Sequence, residues 1–261
     1  MKKNFVFAVV LVSMAVFASC TSKDLSEQHI ALFGDSMTWY GGDNCELERG
    51  WTYHFKRTAN PKSITTYARS GATWTNTDST IVDKKFYTGR LNDKNVIYTQ
   101  IQRLIDSTEM GLAPRPDIII VYAGANGCWY SDRRPGLFDT TAEQVLEADP
   151  YSADIEPNKV TTLAGSIRLG CDILHKNFPD AHVVLMTPMQ MAPRSVDEVT
   201  RVADIIDSVG TGLGLTVLRG DKCVGIRHEI EKEKLTYTVD GVHTNPAGAK
   251  FIADFVAASL Q

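Results

Sequence analysis

Residues 29–40 read HIALFGDSMTWY. Ile30 to Phe33 are apolar on consecutive positions, which suits a strand covered on both faces rather than one with a wet side. Gly34, Asp35 and Ser36 end the run, and all three are residues that favour turns. A serine at the tip of such a strand either closes the turn or is a nucleophile lifted to the surface. What the rest of the chain brings to that edge decides between the two.

Four more runs of the same kind follow, at 64–67, 118–122, 183–186 and 215–218. Each is rich in strand-forming residues and bounded by Gly, Pro, Asp or Ser. Helical periodicity lies between them. Ile97, Ile101, Leu104 and Ile105 make one apolar stripe, and Val160, Leu163, Ala164, Ile167, Cys171, Leu174 and Phe178 a longer one. Ser195 and Glu198 have capping-box spacing ahead of Val199, Val202, Ile206 and Val209. Asn245-Pro246 is an N-cap followed by proline at the first helical position. The alternation predicts a three-layer α/β/α sandwich on a five-stranded parallel sheet, with right-handed crossovers. Two stretches break it, 73–93 and 128–158, and are expected to be long loops with little regular structure. Loops of that length are usually functional in a compact domain.

The N-terminus is read separately. Lys2 and Lys3 precede an almost wholly apolar run over 4–17, and Ala18-Ser19 leads directly to Cys20. The run falls short of the roughly 20 residues that span a bilayer, and its layout is that of a signal peptide. The cysteine after a small pair resembles a bacterial lipobox, which implies cleavage before Cys20 and lipid attachment to it, with plain secretion as the alternative. The expected organisation is a lipoprotein-type signal peptide over 1–19, a short tether over 20–27, and one domain over 28–261. That chain would be exported and membrane-anchored.

Net charge is −4, and loss of Lys2 and Lys3 with the leader makes it more negative. No basic stripe is present, so nucleic acid is not an expected partner. Beyond Cys20, Cys45, Cys128, Cys171 and Cys223 match no zinc pattern. Cys171 falls on an apolar helix face. Cys45 and Cys128 each follow a predicted strand, and a disulfide between them is an arrangement an exported protein permits.

Open α/β sheets bind ligands beyond the carboxyl ends of their strands. Ser36 follows the first strand, Gly71 the second and Asn126 the third. The segment DGVHTN, 240–245, follows the fifth. Of the six histidines, His29 and His182 enter strands from the opposite end. His54 and His175 sit in helical stretches, and His228 lies in a charged segment. His243 alone is at this edge, three residues after Asp240, close enough for the carboxylate to fix the imidazole tautomer. A neutral His243 could then take a proton from Ser36. Each signal has a plainer reading: Gly-Asp-Ser as a turn, D-x-x-H as a surface pair, Asn126 as a left-handed turn residue. Asp240 and His243 could also ligate a metal, though no third ligand stands out. Four such signals at one edge are harder to attribute to chance.

With these residues in view, the sequence resembles the SGNH hydrolases, also called GDSL lipases and esterases. The motifs run in family order: Gly34-Asp35-Ser36-Met37, Gly71 within ARSGAT, Gly124-Ala125-Asn126-Gly127, and Asp240 with His243. The resemblance implies a flavodoxin-like SGNH hydrolase fold, with Ser36 as nucleophile, His243 as base and Asp240 orienting it. It also implies an oxyanion hole made from the backbone N–H groups of Ser36 and Gly71 and the side-chain amide of Asn126. No cofactor is implied. One departure stands out, since Gly127 occupies the place of the family's aspartate. The G-x-S-x-G elbow of the α/β-hydrolases is absent.

Trp39, Tyr40, Trp74, Trp129 and Tyr130 lie near the motifs and are candidate substrate contacts, because aromatic faces stack on sugar rings; ordinary loop packing is the plain alternative. The expected activity is hydrolysis of short-chain esters, above all acetyl esters on carbohydrates, through an acyl-serine. A lysophospholipase or thioesterase shares the chemistry. A non-catalytic glycan-binding lipoprotein would share the scaffold alone.

Overall fold

The computed structural model describes residues 24–77, 80, 96–152 and 154–261. The expected signal peptide, Cys20 and most of the first expected loop lie outside them. Strands β1 (His29–Gly34), β2 (Ser63–Thr66), β3 (Ile118–Tyr122), β4 (His182–Met186) and β5 (Thr216–Leu218) form one parallel sheet, ordered β2-β1-β3-β4-β5. The larger helices are α2 (Trp51–Ala59), α3 (Ile97–Glu109), α6 (Leu163–Asn177), α7 (Val196–Gly212) and α10 (Pro246–Leu260). Short helices cluster at the loops: α1 (Ser36–Trp39), α4 (Ala125–Tyr130), α5 (Ala142–Glu147), α8 (Gly220–Cys223) and α9 (His228–Glu233). Among the described residues no helix is long and apolar enough to cross a membrane.

The unbroken apolar runs are explained by what covers each face. Ala31, Phe33, Ile119 and Val121 point to one side, against Ile97 and Ile101 of α3, Ile167 of α6 and Val202 of α7. Ile30, Leu32, Ile118 and Ile120 point to the other, against Trp51 and Phe55 of α2 and Ile252 and Val256 of α10. Fully burying one such side chain contributes about 1.5–3 kcal/mol, so the two apolar layers dominate stability. The expected caps form too. Ser195 and Glu198 make a complete capping box on α7, and Asn245 caps α10 by accepting from the Gly248 N–H.

Two expectations are corrected. The stretch 128–158 is not irregular, since it begins inside α4 and carries α5. Thr141 and Gln144 form a capping box there, with Thr141 Oγ1 accepting from Gln144 N at 3.2 Å and Gln144 Oε1 from Thr141 N at 2.8 Å. A helix of six residues is too short to display a 3.6-residue apolar period, so the T-x-x-Q spacing is its only clear sign. The second correction concerns sulfur. Cys45, Cys128, Cys171 and Cys223 are all free. Cys45 packs in the α2/α10 layer and Cys128 in the α3/α6/α7 layer, so the sheet lies between them and no disulfide joins them.

Candidate active site

The order of the strands fixes where a site can form. The chain passes from β1 outward to β2, then returns across to β3, so the switch point lies between β1 and β3. Ser36 follows β1 and Asn126 follows β3, one on each side of that crevice. Asp35 caps α1, its Oδ1 accepting from Met37 N at 3.0 Å, which makes Ser36 the first helical residue. Gly34 is required by close approach, because a Cβ there would overlap the Tyr122 carbonyl oxygen and the Thr38 side chain. Gln100 of α3, fully buried, clamps this glycine on both sides: it accepts from Gly34 N and donates to Gly34 O, each at 2.9 Å. The tip of β1 is therefore fixed just before the serine.

The 240–243 segment forms a tight loop after β5. Asp240 Oδ2 lies 2.7 Å from His243 Nδ1, while Oδ1 accepts from the N–H of Val242 at 2.9 Å and of His243 at 2.7 Å. Partial burial pushes the Asp240 carboxyl upward, but the His243 contact and these amides outweigh it and hold it below the usual carboxylate value. A carboxylate accepts only, so the proton of neutral His243 sits on Nδ1 and Nε2 carries the free lone pair. The Tyr40 ring stacks on the imidazole, centroids 5.0 Å apart, and the Arg49 guanidinium lies 4.4 Å from the Tyr40 ring centre.

A cleft of about 430 Å³ brings these pieces together. Ser36, Gly71, Asn126, Asp240 and His243 all line it, with Trp129, Tyr130, Met191 and Pro193 among its other walls. Asn126 donates one amide hydrogen to the Ala72 carbonyl at 2.9 Å. Gly71 has φ 79°, the left-handed region that favours glycine. Among the described residues no acceptor takes the N–H of Ser36 or of Gly71, so both are available to a negatively charged oxygen. No hydrogen bond joins Ser36 Oγ to the His243 ring, and catalytic contacts of this kind commonly tighten in a substrate complex.

The aromatic candidates divide. Trp129 and Tyr130 line the cleft. Trp129 is 39 % exposed and braced by Arg194, which donates to its carbonyl at 3.0 Å and holds its guanidinium 4.8 Å from the ring centre. Tyr40 reaches the site through His243 alone. Trp39 is half-buried and outside the lining. Trp74 is only 2 % exposed and packs in the core beside Gly170 and Ile101, which leaves it no face for a ligand. Met191 and Pro193, in the segment after β4, escaped the sequence reading, although the carboxyl-end rule applies to that strand as well.

Behind the serine, Asp35 is 1 % exposed. Burial pushes its carboxyl up to about 6, against the opposing pull of the Met37 and Gly124 amides, the nearby His243 and the Ala125 amide. The place of the family aspartate, Gly127, packs against α7 with Val202 methyls 3.7 and 3.9 Å from where a Cβ would sit. With no carboxylate at that position, the Arg194 contact to the Trp129 carbonyl and the Asn126 contact to Ala72 tie α4 in place.

A parallel sheet with a serine at its switch point and an Asp–His pair across the cleft defines a hydrolase of the SGNH type. The family description GDSL-like Lipase/Acylhydrolase matches residues 30–256, and the chain belongs to that family. No curated protein matches it by sequence. Among solved structures it is similar to a protein from Bacteroides uniformis assigned as a GDSL-like lipase, with 17% identity, a TM-score of 0.57, and coverage of 90% of this chain and 95% of that one. A member of the lipolytic protein G-D-S-L family from Veillonella parvula aligns at 12% identity and a TM-score of 0.53, covering 88% of this chain and 96% of that one. At these identities the likeness is one of fold.

Proposed function

We propose that this chain is a serine esterase that hydrolyses short-chain, above all acetyl, esters on carbohydrates. The observation that carries the reading is the Asp240–His243 hydrogen bond of 2.7 Å in a cleft shared with Ser36, Gly71 and Asn126. Ser36 Oγ attacks the ester carbonyl while His243 Nε2 takes its proton. The Ser36 and Gly71 amides and the Asn126 side chain then receive the oxyanion. The alcohol leaves with the proton from His243, and water, activated by the same nitrogen, releases the acid from the acyl-serine. Asp240 holds the tautomer and favours the imidazolium as it forms.

The substrate class rests on the rim of the cleft. Trp129 offers an exposed ring face beside the site, which suits stacking on a sugar. The N-terminal pattern supports export and lipid anchoring at Cys20, so the sugar would belong to a glycan met outside the cytoplasm. The test is hydrolysis of p-nitrophenyl esters from acetate to decanoate, with Ser36→Ala alongside, followed by acetylated glycans. Activity highest on acetate and absent in the variant is expected. A maximum at long chains would replace the carbohydrate reading with a lysophospholipase or thioesterase. Equal, negligible rates for wild type and variant on every ester would leave a glycan-binding role.

A further inference from the structure

Glu231 lies on α9, outside the cleft, and is 1 % exposed. Among the described residues it has no cationic partner, and burying a lone carboxylate is costly unless hydrogen bonds replace its water. Four do. Oε1 accepts from the N–H of Tyr237 at 2.9 Å, and Oε2 from the N–H groups of Thr236 at 3.2 Å and Thr238 at 3.0 Å, as well as from the Thr238 hydroxyl. With its hydroxyl hydrogen donated to Glu231, the Thr238 oxygen in turn accepts from Gly241 N at 3.1 Å. Gly241 is the residue between Asp240 and Val242, with φ 84°, and a Cβ on it would lie 2.7 Å from the Ala192 Cβ.

The loop closes on itself around this anchor. Val239 N donates to His243 O at 2.8 Å, Thr238 bridges Thr244, and Ala192 N donates to Gly241 O at 2.9 Å. The far end is fixed as well. His228, which opens α9, donates its N–H to Gln190 Oε1 at 3.0 Å, and its Nδ1 lies 2.8 Å from the Met191 carbonyl oxygen. A line of directed contacts therefore runs from the sheet edge through α9 and Glu231 to Thr238, Gly241 and the Asp240–His243 pair.

We propose that Glu231 is a positioning residue for that pair: its carboxylate gathers the 236–238 amides and, through Thr238, sets the loop on which Asp240 and His243 meet. This inference rests on the reading of Asp240 and His243 as the orienting acid and base. Glutamine at 231 keeps the shape but turns one acceptor into a donor facing donors, so at least one of these contacts must break.

The experiment pairs Glu231→Gln with Thr238→Val and Thr238→Ser, read on p-nitrophenyl acetate and by the downfield proton signal of His243 Nδ1–H, with Ser36→Ala as reference. Displacing reacting groups by about 1 Å costs on the order of 10²-fold. Glu231→Gln and Thr238→Val should therefore lose about 10- to 100-fold in kcat with KM within about twofold, and the Nδ1–H signal should broaden or vanish. Thr238→Ser, which keeps the hydroxyl, should retain both. Arg168→Lys, which weakens the Arg168–Asp172 pair of α6 far from this loop, provides a destabilised control whose kcat stays at the wild-type value. If Glu231→Gln does not fold, the Thr238 pair carries the same test. Folded variants with unchanged kcat and an unchanged signal overturn the inference, as does an equal loss of kcat in Arg168→Lys. A wild type no more active than Ser36→Ala overturns the esterase reading instead, and the Nδ1–H signal still reports whether Glu231 holds the loop.

Discussion

Replacing Ser36 with alanine removes one oxygen from the cleft and leaves the Asp35 cap and the Gln100 clamp untouched. Ester turnover should fall to background while the melting temperature stays at its wild-type value. Asp240→Asn presents an amide to His243 and favours the wrong tautomer, for which about a 10⁴-fold loss in kcat is expected; steady-state kinetics beside a near-ultraviolet spectrum separates this from misfolding. Asp35 predicts a pH effect. Its folded pKa, about 6, stands above the ordinary 3.8, so folding favours the protonated form. That contribution is full below about pH 4 and lost as pH rises through 6. Asparagine carries no charge at either pH. Whatever Asp35→Asn costs at pH 4, the deficit should shrink by about 2–3 kcal/mol by pH 7.5, at 1.36 kcal/mol per pKa unit. Urea titrations at the two pH values measure it, and a constant deficit would contradict it. Asp240 has the opposite sign, stabilising above its ordinary value and less so as acid protonates it. Ser36, Gly71, Asn126, Asp240 and His243 were legible because they sit at fixed places after strands, whereas Met191 and Pro193, also in the cleft wall, carry no such motif. Gln100 was not, since a glutamine beside the apolar stripe of α3 looks like a surface residue until the Gly34 backbone is seen against it.

Among the elements, α4 carries the Gly127 departure from the family pattern, and it offers a sharp contrast with Gly34 ahead of Ser36. Gly127 lies inside the helix with ordinary room toward Val202. Alanine there should stabilise the fold by about 0.5–1 kcal/mol through the entropy that glycine loses in a helix, and calorimetry should show a small rise in melting temperature with kcat retained. Gly34→Ala meets the Tyr122 carbonyl oxygen and Thr38, so it should lower both stability and turnover. Helices longer than about three turns were readable from apolar spacing, and α7 and α10 begin where their caps predict. The shorter α5 hid within an expected loop because its burial rests on Val145 and too little else to set a period.

For the molecule as a whole, the five parallel strands and both covered faces could be read from unbroken apolar runs, whereas the assignment of each cysteine to a face could not, because strand order decides it. With Cys45 and Cys128 in different layers, a reductant should leave the melting temperature unchanged; a fall of several degrees would indicate a bridge. Burial pushes the Cys128 and Cys171 thiols up to about 12, so among the described cysteines alkylation of the native protein should mark exposed Cys223 first. The sheet order also brings distant parts of the chain together. α2 packs against α10, and Thr244 Oγ1 donates to the Arg49 carbonyl at 2.9 Å, joining the stretch just after Ser36 to the stretch just after His243. On the proposed mechanism, a ribosome making this protein produces Ser36 early and the histidine that would deprotonate it only after some two hundred further residues have been added. The nascent polypeptide would carry the serine without His243 for most of its synthesis. A message cut short before residue 243 should then yield an inert product, which an esterase assay on the truncated chain would check.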